Sequence, residues 1–262
     1  MSKSPVIEMK ELSIGYASKK KTKLIAKDIS ATIYSGELTC LLGANGVGKS
    51  TLLKTLSAFL PKLSGEIRIG KVPIDSLHEK KISKQISVVL TDKFDIRDMS
   101  VTELVGLGRT PHTGFWGNLS EKDNEIIRYA ISLVKIESLA DRMLYTLSDG
   151  ERQKTMIAKA LAQETPIIFL DEPTAFLDFQ SKVEVMQLLH RLSREANKTI
   201  FLSTHDIELA LQMADKIWLM DKTSGIRIGI PDELSQDGTI ARFFERKRIV
   251  YDAQNKFFRI EK

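Results

Sequence analysis

Residues Gly43 to Thr51 read GANGVGKST and match the pattern G-x-x-x-x-G-K-[S/T] completely. The five residues before them, LTCLL (38–42), form a continuous apolar run typical of a buried strand, and a helical pattern begins at Lys49. A strand, a glycine-rich turn and a helix in this order predict a loop whose backbone N–H groups surround a polyphosphate. The glycines permit the tight curl, Lys49 brings a positive charge to the terminal phosphates, and the Ser50 hydroxyl suits Mg²⁺.

Every residue of this loop is a candidate contact for the phosphates. The alternative is a glycine-rich turn that only caps a helix, and the strand and helix on either side of the loop argue against it. The predicted nucleotide-binding residues are Gly43, Ala44, Asn45, Gly46, Val47, Gly48, Lys49, Ser50 and Thr51.

Two further segments end in side chains that suit phosphate chemistry. In IIFLDEP (167–173) an apolar strand leads to Asp171, which we expect to hold Mg²⁺ at the carboxyl edge of a sheet, in part through water. Glu172 is then placed to act as a general base or to orient water. His205, in FLSTHD (201–206), follows another apolar strand and is expected to donate to a γ-phosphate. The candidate catalytic residues are Lys49, Glu172 and His205, and the candidate metal ligands from these motifs are Ser50 and Asp171.

The composition is that of an ordinary globular chain. The 262 residues include 39 basic and 34 acidic side chains, and the resulting charge of +5 is too mild to indicate a nucleic-acid partner. The single cysteine, Cys40, excludes an internal disulfide and a multi-cysteine metal site. The N-terminus lacks the apolar core of a signal peptide, and no apolar run approaches the roughly 20 residues of a membrane helix. We therefore expect a cytosolic chain.

The stretch TLSDGERQK (146–154) predicts the start of a helix. Ser148 and Glu151 have capping-box spacing, so free backbone N–H groups are expected at the helix tip. Such a tip attracts anions, which makes the acidic Asp149 at this position unexpected.

In this order, these motifs resemble those of the nucleotide-binding subunit of an ATP-binding cassette (ABC) transporter, over residues 6–234. GANGVGKS resembles the Walker A loop, LSDGE the signature motif, IIFLDEP the Walker B strand, TAFLD the D-loop and STHD the H-switch. The signature motif is the discriminating one, since other proteins with a phosphate loop lack it. Tyr16 lies 27 residues before Gly43, where the family places an aromatic ring against adenine.

The resemblance implies an α/β fold: a P-loop NTPase core with an N-terminal antiparallel β subdomain and an inserted α-helical signature subdomain. The expected domains are an ATPase domain at 1–234, with the insertion at about 92–162, and a C-terminal extension at 235–262 made of a helix and a hairpin.

The resemblance also implies a homodimer that works with two polytopic permease subunits and, indirectly, with a substrate-binding protein. Each ATP, with Mg²⁺, would lie between the Walker A loop of one copy and the signature helix of the other. Asp178 would help to connect the two sites. The chain would then be peripheral on the cytoplasmic face of the plasma membrane. The residues expected at the opposing half-site are Ser148, Asp149, Gly150 and Glu151.

A narrower resemblance covers MSVTELVGLGRTPHTGFWG, from Met99 to Gly117. Importers of ferric siderophores, haem and cobalamin have similar segments around a Gly-Arg-x-Pro-His core, here beginning at Gly108. By analogy this region lies near the groove that holds the permease. The alternative is that the proline only ends a helix.

Two positions depart from the family pattern. The glutamine that usually ligates Mg²⁺ is replaced by Thr91, whose side chain is about two bonds shorter. A bridging water could restore the contact, or Asp92 could reach the metal, although its charge would alter the site. Asp149 replaces a glycine. A carboxylate facing γ-phosphate would repel it by about 1–4 kcal/mol at 4 Å, whereas a sideways one gains about 0.3–1 kcal/mol from the helix dipole. We expect Asp149 to point away and ATP still to bind.

Three functions remain to be compared: a transport ATPase subunit, a soluble ABC ATPase that serves translation or DNA repair, and an ATP-binding scaffold with weak hydrolysis. The second class usually carries tandem cassettes or long coiled-coil insertions, for which this chain has no room. The intact Lys49, Asp171, Glu172 and His205 argue against the third.

Overall fold

The computed structural model describes residues 3–18, 21–91, 98–114, 117–222, 225–245 and 248–261, so Asp92 lies outside the described residues. The strands are β1 (Pro5–Ala17), β2 (Thr22–Tyr34), β3 (Leu38–Leu42), β4 (Ser64–Ile69), β5 (Val72–Pro73), β6 (Ile86–Val89), β7 (Ile167–Asp171), β8 (Thr199–Ser203), β9 (Lys216–Asp221), β10 (Gly225–Gly229), β11 (Ile249–Asp252) and β12 (Phe257–Ile260). The α-helices are α1 (Lys49–Leu56), α2 (Glu79–Ile82), α3 (Val101–Gly106), α4 (Glu121–Leu133), α5 (Asp149–Ala162), α6 (Phe179–Glu195), α7 (Ile207–Met213), α8 (Pro231–Gln236) and α9 (Thr239–Phe244).

The central sheet has the strand order β10-β9-β3-β8-β7-β6. All its neighbouring strands are parallel except the β9–β10 pair, which is antiparallel. Every residue of β3, β7 and β8 is buried, as expected for parallel strands that are covered on both faces. The continuous apolar runs of the sequence therefore form the middle of the sheet.

A smaller sheet, β2-β1-β4-β5, is antiparallel. Its apolar face packs with α1 and with one face of the central sheet in a shared core. Phe201 lies at the centre of that core, edge-on to Phe169 at 5.7 Å and to Trp218 at 5.1 Å between ring centroids. Full burial of each such side chain contributes roughly 1.5–3 kcal/mol to folding.

Helices α3, α4 and α5 lie between β6 and β7 in the chain and pack on one another. Each begins with a complete capping box, in which a serine side chain and an acidic side chain exchange hydrogen bonds with the backbone. The predicted α/β class, with an antiparallel β subdomain and an inserted helical part, is confirmed.

The C-terminal part adds α8, α9 and a hairpin of β11 and β12. The ring of Phe258 packs 4.9 Å from Tyr251 and 6.2 Å from Phe244. The backbone N–H of Phe258 donates to Glu208 of α7 at 3.0 Å. Within the described ranges, no helix is both long and apolar enough to span a bilayer.

Helix α1 is shorter than its apolar spacing predicts. Leu52, Leu53, Leu56, Phe59 and Leu60 continue a helical pattern to Pro61, but the helix ends at Leu56. Ala58 has φ +61°, a left-handed conformation that stops the helix before the proline, and Phe59 is left 63% exposed. Backbone conformation, not proline, therefore ends this helix.

Replacing Ala58 by glycine should raise the free energy of unfolding by up to about 1 kcal/mol, because glycine adopts positive φ without the Cβ clash. Urea unfolding measures the change. The control is Ala140→Gly, at φ −51°, which should lower stability. Equal effects of the two substitutions would contradict the assignment.

Candidate functional site

The loop between β3 and α1 has a backbone that requires glycine. Gly46 and Gly48 have φ values of +71° and +119°, and a Cβ on Gly48 would lie 2.3 Å from Cγ2 of Ile25. The helix that follows begins at Lys49 without a side-chain hydrogen bond at its N-cap. Its first N–H groups are therefore open to an anion.

Lys49 is buried with its ammonium group turned back on this loop. Its Nζ donates to the carbonyl oxygens of Gly43 at 2.9 Å and Ala44 at 3.4 Å, and lies 4.0 Å from Oε1 of Glu172. Burial lowers the pKa of Lys49, while the nearby Glu172 and Asp171 carboxylates act to raise it. A triphosphate would give this cation an anionic partner in place of two neutral carbonyls.

The Asp171 carboxylate lies at the end of β7 beside the loop. Its Oδ1 accepts hydrogen bonds from the hydroxyls of Ser50 at 3.0 Å and Ser203 at 2.6 Å. A hydroxyl and a carboxylate are oxygen ligands of the kind Mg²⁺ prefers, and phosphate oxygens and water can complete its shell. The residues present therefore fit the predicted metal. Among the residues described, no three or more His, Cys, Asp or Glu side chains are grouped so that they could hold a metal ion by themselves.

Ser203 is the first residue of the STHD motif, but the sequence analysis assigned it no role in the site. Besides bonding Asp171, it accepts the backbone N–H of Glu172 through its carbonyl oxygen at 3.1 Å and its hydroxyl at 3.0 Å. Glu172 has φ +49°, and these bonds hold it in that uncommon conformation. The available signal was the small polar residue that ends the apolar run TIFLS, next to the Walker B strand.

His205 and Glu172 are brought together. Nε2 of His205 lies 2.5 Å from Oε1 of Glu172, and this carboxylate oxygen also faces Lys49. The three predicted catalytic residues thus form one contiguous group, although they lie on three separate segments of the chain. A carboxylate held between two nitrogen groups is oriented for an attacking water.

Thr91 also lies at Asp171, but on its backbone side. The Thr91 hydroxyl donates to the backbone carbonyl of Asp171 at 2.6 Å. The proton of this hydroxyl is therefore directed at the main chain. The bond connects the residue that follows β6 to the end of β7, next to the Asp171 carboxylate.

Tyr16 lies over the helix that follows the loop. Its hydroxyl is 3.1 Å from Oγ1 of Thr51, and 48% of its side chain is exposed. A half-exposed ring at this place can stack on a nucleotide base.

The tip of α5 forms the cap that its sequence predicts. The Ser148 hydroxyl accepts the backbone N–H of Glu151 at 3.3 Å, and Glu151 accepts the backbone N–H of Ser148 at 2.8 Å. This last bond is the main cause of the lowered pKa of Glu151. Ser148 and Asp149 are exposed, and Asp149 lines a cleft that also contains Glu172.

Asp178 lies beside this tip. It caps α6 by accepting the backbone N–H of Ser181 at 3.0 Å, which lowers the pKa of Asp178. A Cβ on Gly150 would come within 3.1 Å of Oγ of the same serine. The signature helix therefore lies close to the first turn of α6, which Asp178 caps.

Comparisons with known proteins agree with this geometry. The family model described as ABC transporter matches residues 26–175. The chain is 36% identical over 256 residues to an ABC transporter ATP-binding protein of Methanocaldococcus jannaschii, covering 98% of this chain and 87% of that protein.

Two further relatives are named for iron transport. The iron(3+)-hydroxamate import ATP-binding protein of Bacillus subtilis is 33% identical, over 91% of this chain and 87% of its own length. The ferric enterobactin transport ATP-binding protein of Escherichia coli is 32% identical, over 92% and 88%. Among solved structures, a dimeric ATP-binding cassette in a post-hydrolysis state with ADP and Pi aligns with a TM-score of 0.74 and 26% identity, over 86% of this chain and 98% of that one.

Replacing Ser203 by alanine should slow ATP hydrolysis by about 10- to 100-fold, because hydrogen bonds to charged groups contribute roughly 1.5–3 kcal/mol and the backbone of Glu172 loses a partner. Steady-state phosphate release measures the effect. The control is Ser193→Ala, which removes an equally buried hydroxyl that donates to His190 within α6. A similar loss in both variants would contradict a role for Ser203 in the site.

Proposed function

The chain belongs to the ABC transporter family, as one of its ATP-binding subunits, and from this premise we propose that it powers the import of a ferric siderophore, haem or cobalamin. As a member of this family it is an ATPase, and such domains dimerise and work with permease components.

The observation that carries the proposal is the joining of Lys49, Glu172 and His205 at one carboxylate oxygen. With ATP in the loop, Lys49 contacts the terminal phosphates and stabilises the charge that develops during transfer. Glu172 orients the attacking water and takes up its proton. His205 holds that carboxylate in the resting chain and donates to the γ-phosphate when ATP is bound.

Ser50 and Asp171 are the proposed Mg²⁺ ligands, because their oxygens already lie within hydrogen-bond distance of each other. The bound ion would neutralise charge on the phosphates. Thr91 is proposed to act at this metal site through water, in place of the usual glutamine. Its hydroxyl proton would remain hydrogen-bonded to the backbone carbonyl oxygen of Asp171. Tyr16 is proposed to stack on adenine.

We propose that two copies associate head to tail, so that the exposed tip at Ser148 faces the ATP of the other copy. The similar structure that is dimeric with ADP and Pi supports the formation of a dimer. Gly150 and Glu151 shape the same tip, and Asp178 lies beside it. In this arrangement Asp149 must face away from phosphate.

The cargo is inferred from two independent features. Relatives in B. subtilis and E. coli are named for import of iron(3+)-hydroxamate and transport of ferric enterobactin. The segment from Met99 to Gly117 has the sequence pattern of this importer group. The proposed location is the cytoplasmic face of the plasma membrane, beneath two polytopic permease subunits served by a substrate-binding protein. Co-purification of a polytopic membrane protein would distinguish this role from that of a soluble ABC ATPase.

Glu172→Gln should lower ATP hydrolysis by at least about 100-fold, because the amide cannot accept the proton of water. Nucleotide affinity should be preserved, and ATP-bound dimers should accumulate in size-exclusion chromatography with Mg²⁺. Glu66→Gln is the control, since Glu66 pairs with Arg68 on the exposed surface of β4. Wild-type hydrolysis by the Glu172 variant would overturn the proposed mechanism.

Asp149→Gly should change hydrolysis and dimer affinity by less than about fivefold, because a carboxylate turned sideways does not face the phosphate and its interaction with the helix dipole is worth only about 0.3–1 kcal/mol. Asp149→Asn keeps the shape and removes the charge. Much faster hydrolysis together with tighter ATP-driven dimerisation in both variants would show that the carboxylate repels phosphate, contrary to the proposal.

A further inference from the structure

The segment that begins at Gly108 lies directly on the C-terminal end of α5. A Cβ on Gly108 would lie 2.2 Å from the carbonyl oxygen of Lys159 and 3.1 Å from Cβ of Ala162. Only glycine permits so close an approach of the two backbones. The segment therefore touches the main chain of the signature helix and does more than end α3.

Arg109 makes two hydrogen bonds to that helix end and a third to the start of α4. Its side chain is 4% exposed, and its Nη1 donates to the carbonyl oxygen of Ala162 at 2.6 Å and to Glu164 at 2.8 Å. Its Nε donates to Asp123, at the start of α4, at 2.8 Å. A guanidinium at the C-terminus of α5 also complements the negative end of the helix dipole.

The Asp123 carboxylate is a firm anchor for this arginine. Hydrogen bonds from Ser120, the N-cap residue of α4, and from Arg109 lower the pKa of Asp123 to about 2. It therefore stays ionised at neutral pH. Arg109 thus joins the beginning of α4 to the end of α5.

Gln163 connects the same helix end to the central sheet. Its Nε2 donates to the carbonyl oxygens of Ser83 at 2.6 Å and Ile86 at 3.1 Å, at the start of β6. The backbone carbonyl oxygen of Gln163 lies 3.0 Å from Nε2 of His112. The end of α5 is therefore held from the sheet on one side and from the Arg109 segment on the other.

We propose that Arg109, His112 and Gln163 are positioning residues that fix the direction of α5 and so place Ser148 against the ATP of the other copy. The helix has 14 residues and spans about 20 Å, so a tilt of about 5° at its held end moves the tip by almost 2 Å. An error of about 1 Å can cost about 100-fold in rate. This inference rests on the proposed head-to-tail dimer.

Arg109→Lys is the sharpest test, because a single ammonium cannot reproduce the planar fork that bonds a carbonyl and two carboxylates. We expect kcat for ATP hydrolysis to fall at least about tenfold, with ATP-driven dimerisation weakened in the Glu172→Gln background. Binding of a fluorescent ATP analogue to the monomer should be unchanged, because the chain's own Walker A loop is intact. His112→Ala changes an exposed residue and should not affect folding. It should also lower kcat and weaken dimerisation, to a smaller degree, and leave binding of the ATP analogue unchanged.

Arg191→Lys is the matched control. Arg191 also donates to a helix-terminal carbonyl, that of Leu133 at 3.0 Å, but on α4 and not on α5. It should leave kcat and dimerisation at wild-type values. Normal kcat and dimerisation in both Arg109→Lys and His112→Ala would overturn the inference. So would a loss that only parallels the loss of unfolding free energy. If the Glu172→Gln chain with no second substitution does not dimerise with ATP, the proposed dimer fails.

Discussion

The parallel pairing of β3, β8 and β7 is the constraint on which the site depends. In this register Ser203 lies opposite both Leu41 and Asp171, so three strand ends reach the same edge of the sheet. Segments that are more than one hundred residues apart in the chain thereby meet within hydrogen-bond distance. The chemistry is localised because the carboxyl ends of parallel strands coincide.

Burial gives these contacts their strength. Lys49 and Asp171 are almost inaccessible to water, and each is compensated by polar partners and not by solvent. An unpaired charge in such a place would be costly, which explains why hydroxyls and carbonyls surround both groups. The same lack of water favours tight binding of a charged nucleotide that brings its own cation.

A second part of the site is formed by one helix. Residues at the N-terminal tip of α5 carry the signature motif, while its C-terminal end is fixed by a buried arginine and by a glutamine bonded to β6. The sequence Gly-Arg-x-Pro-His therefore joins the start of α4 to the end of α5 in this chain. The position of this motif is explained by the specific contacts of Gly108 and Arg109, and a helix-ending role of its proline is not needed.

The fold class followed from the resemblance of the motifs to those of a known family. By itself, the sequence determined the phosphate loop, the acidic residues at the end of the Walker B strand and the cap of α5. These features depend on local spacing, such as glycines in a turn or Ser and Glu three positions apart, and local spacing can be read directly. The sequence did not reveal the contacts of Ser203 and Arg109 or the partner of the Thr91 hydroxyl. Its apolar spacing also predicted a longer α1 than the structure has. Those features depend on which strands become neighbours and on backbone conformation at single residues, so only the tertiary structure decided them.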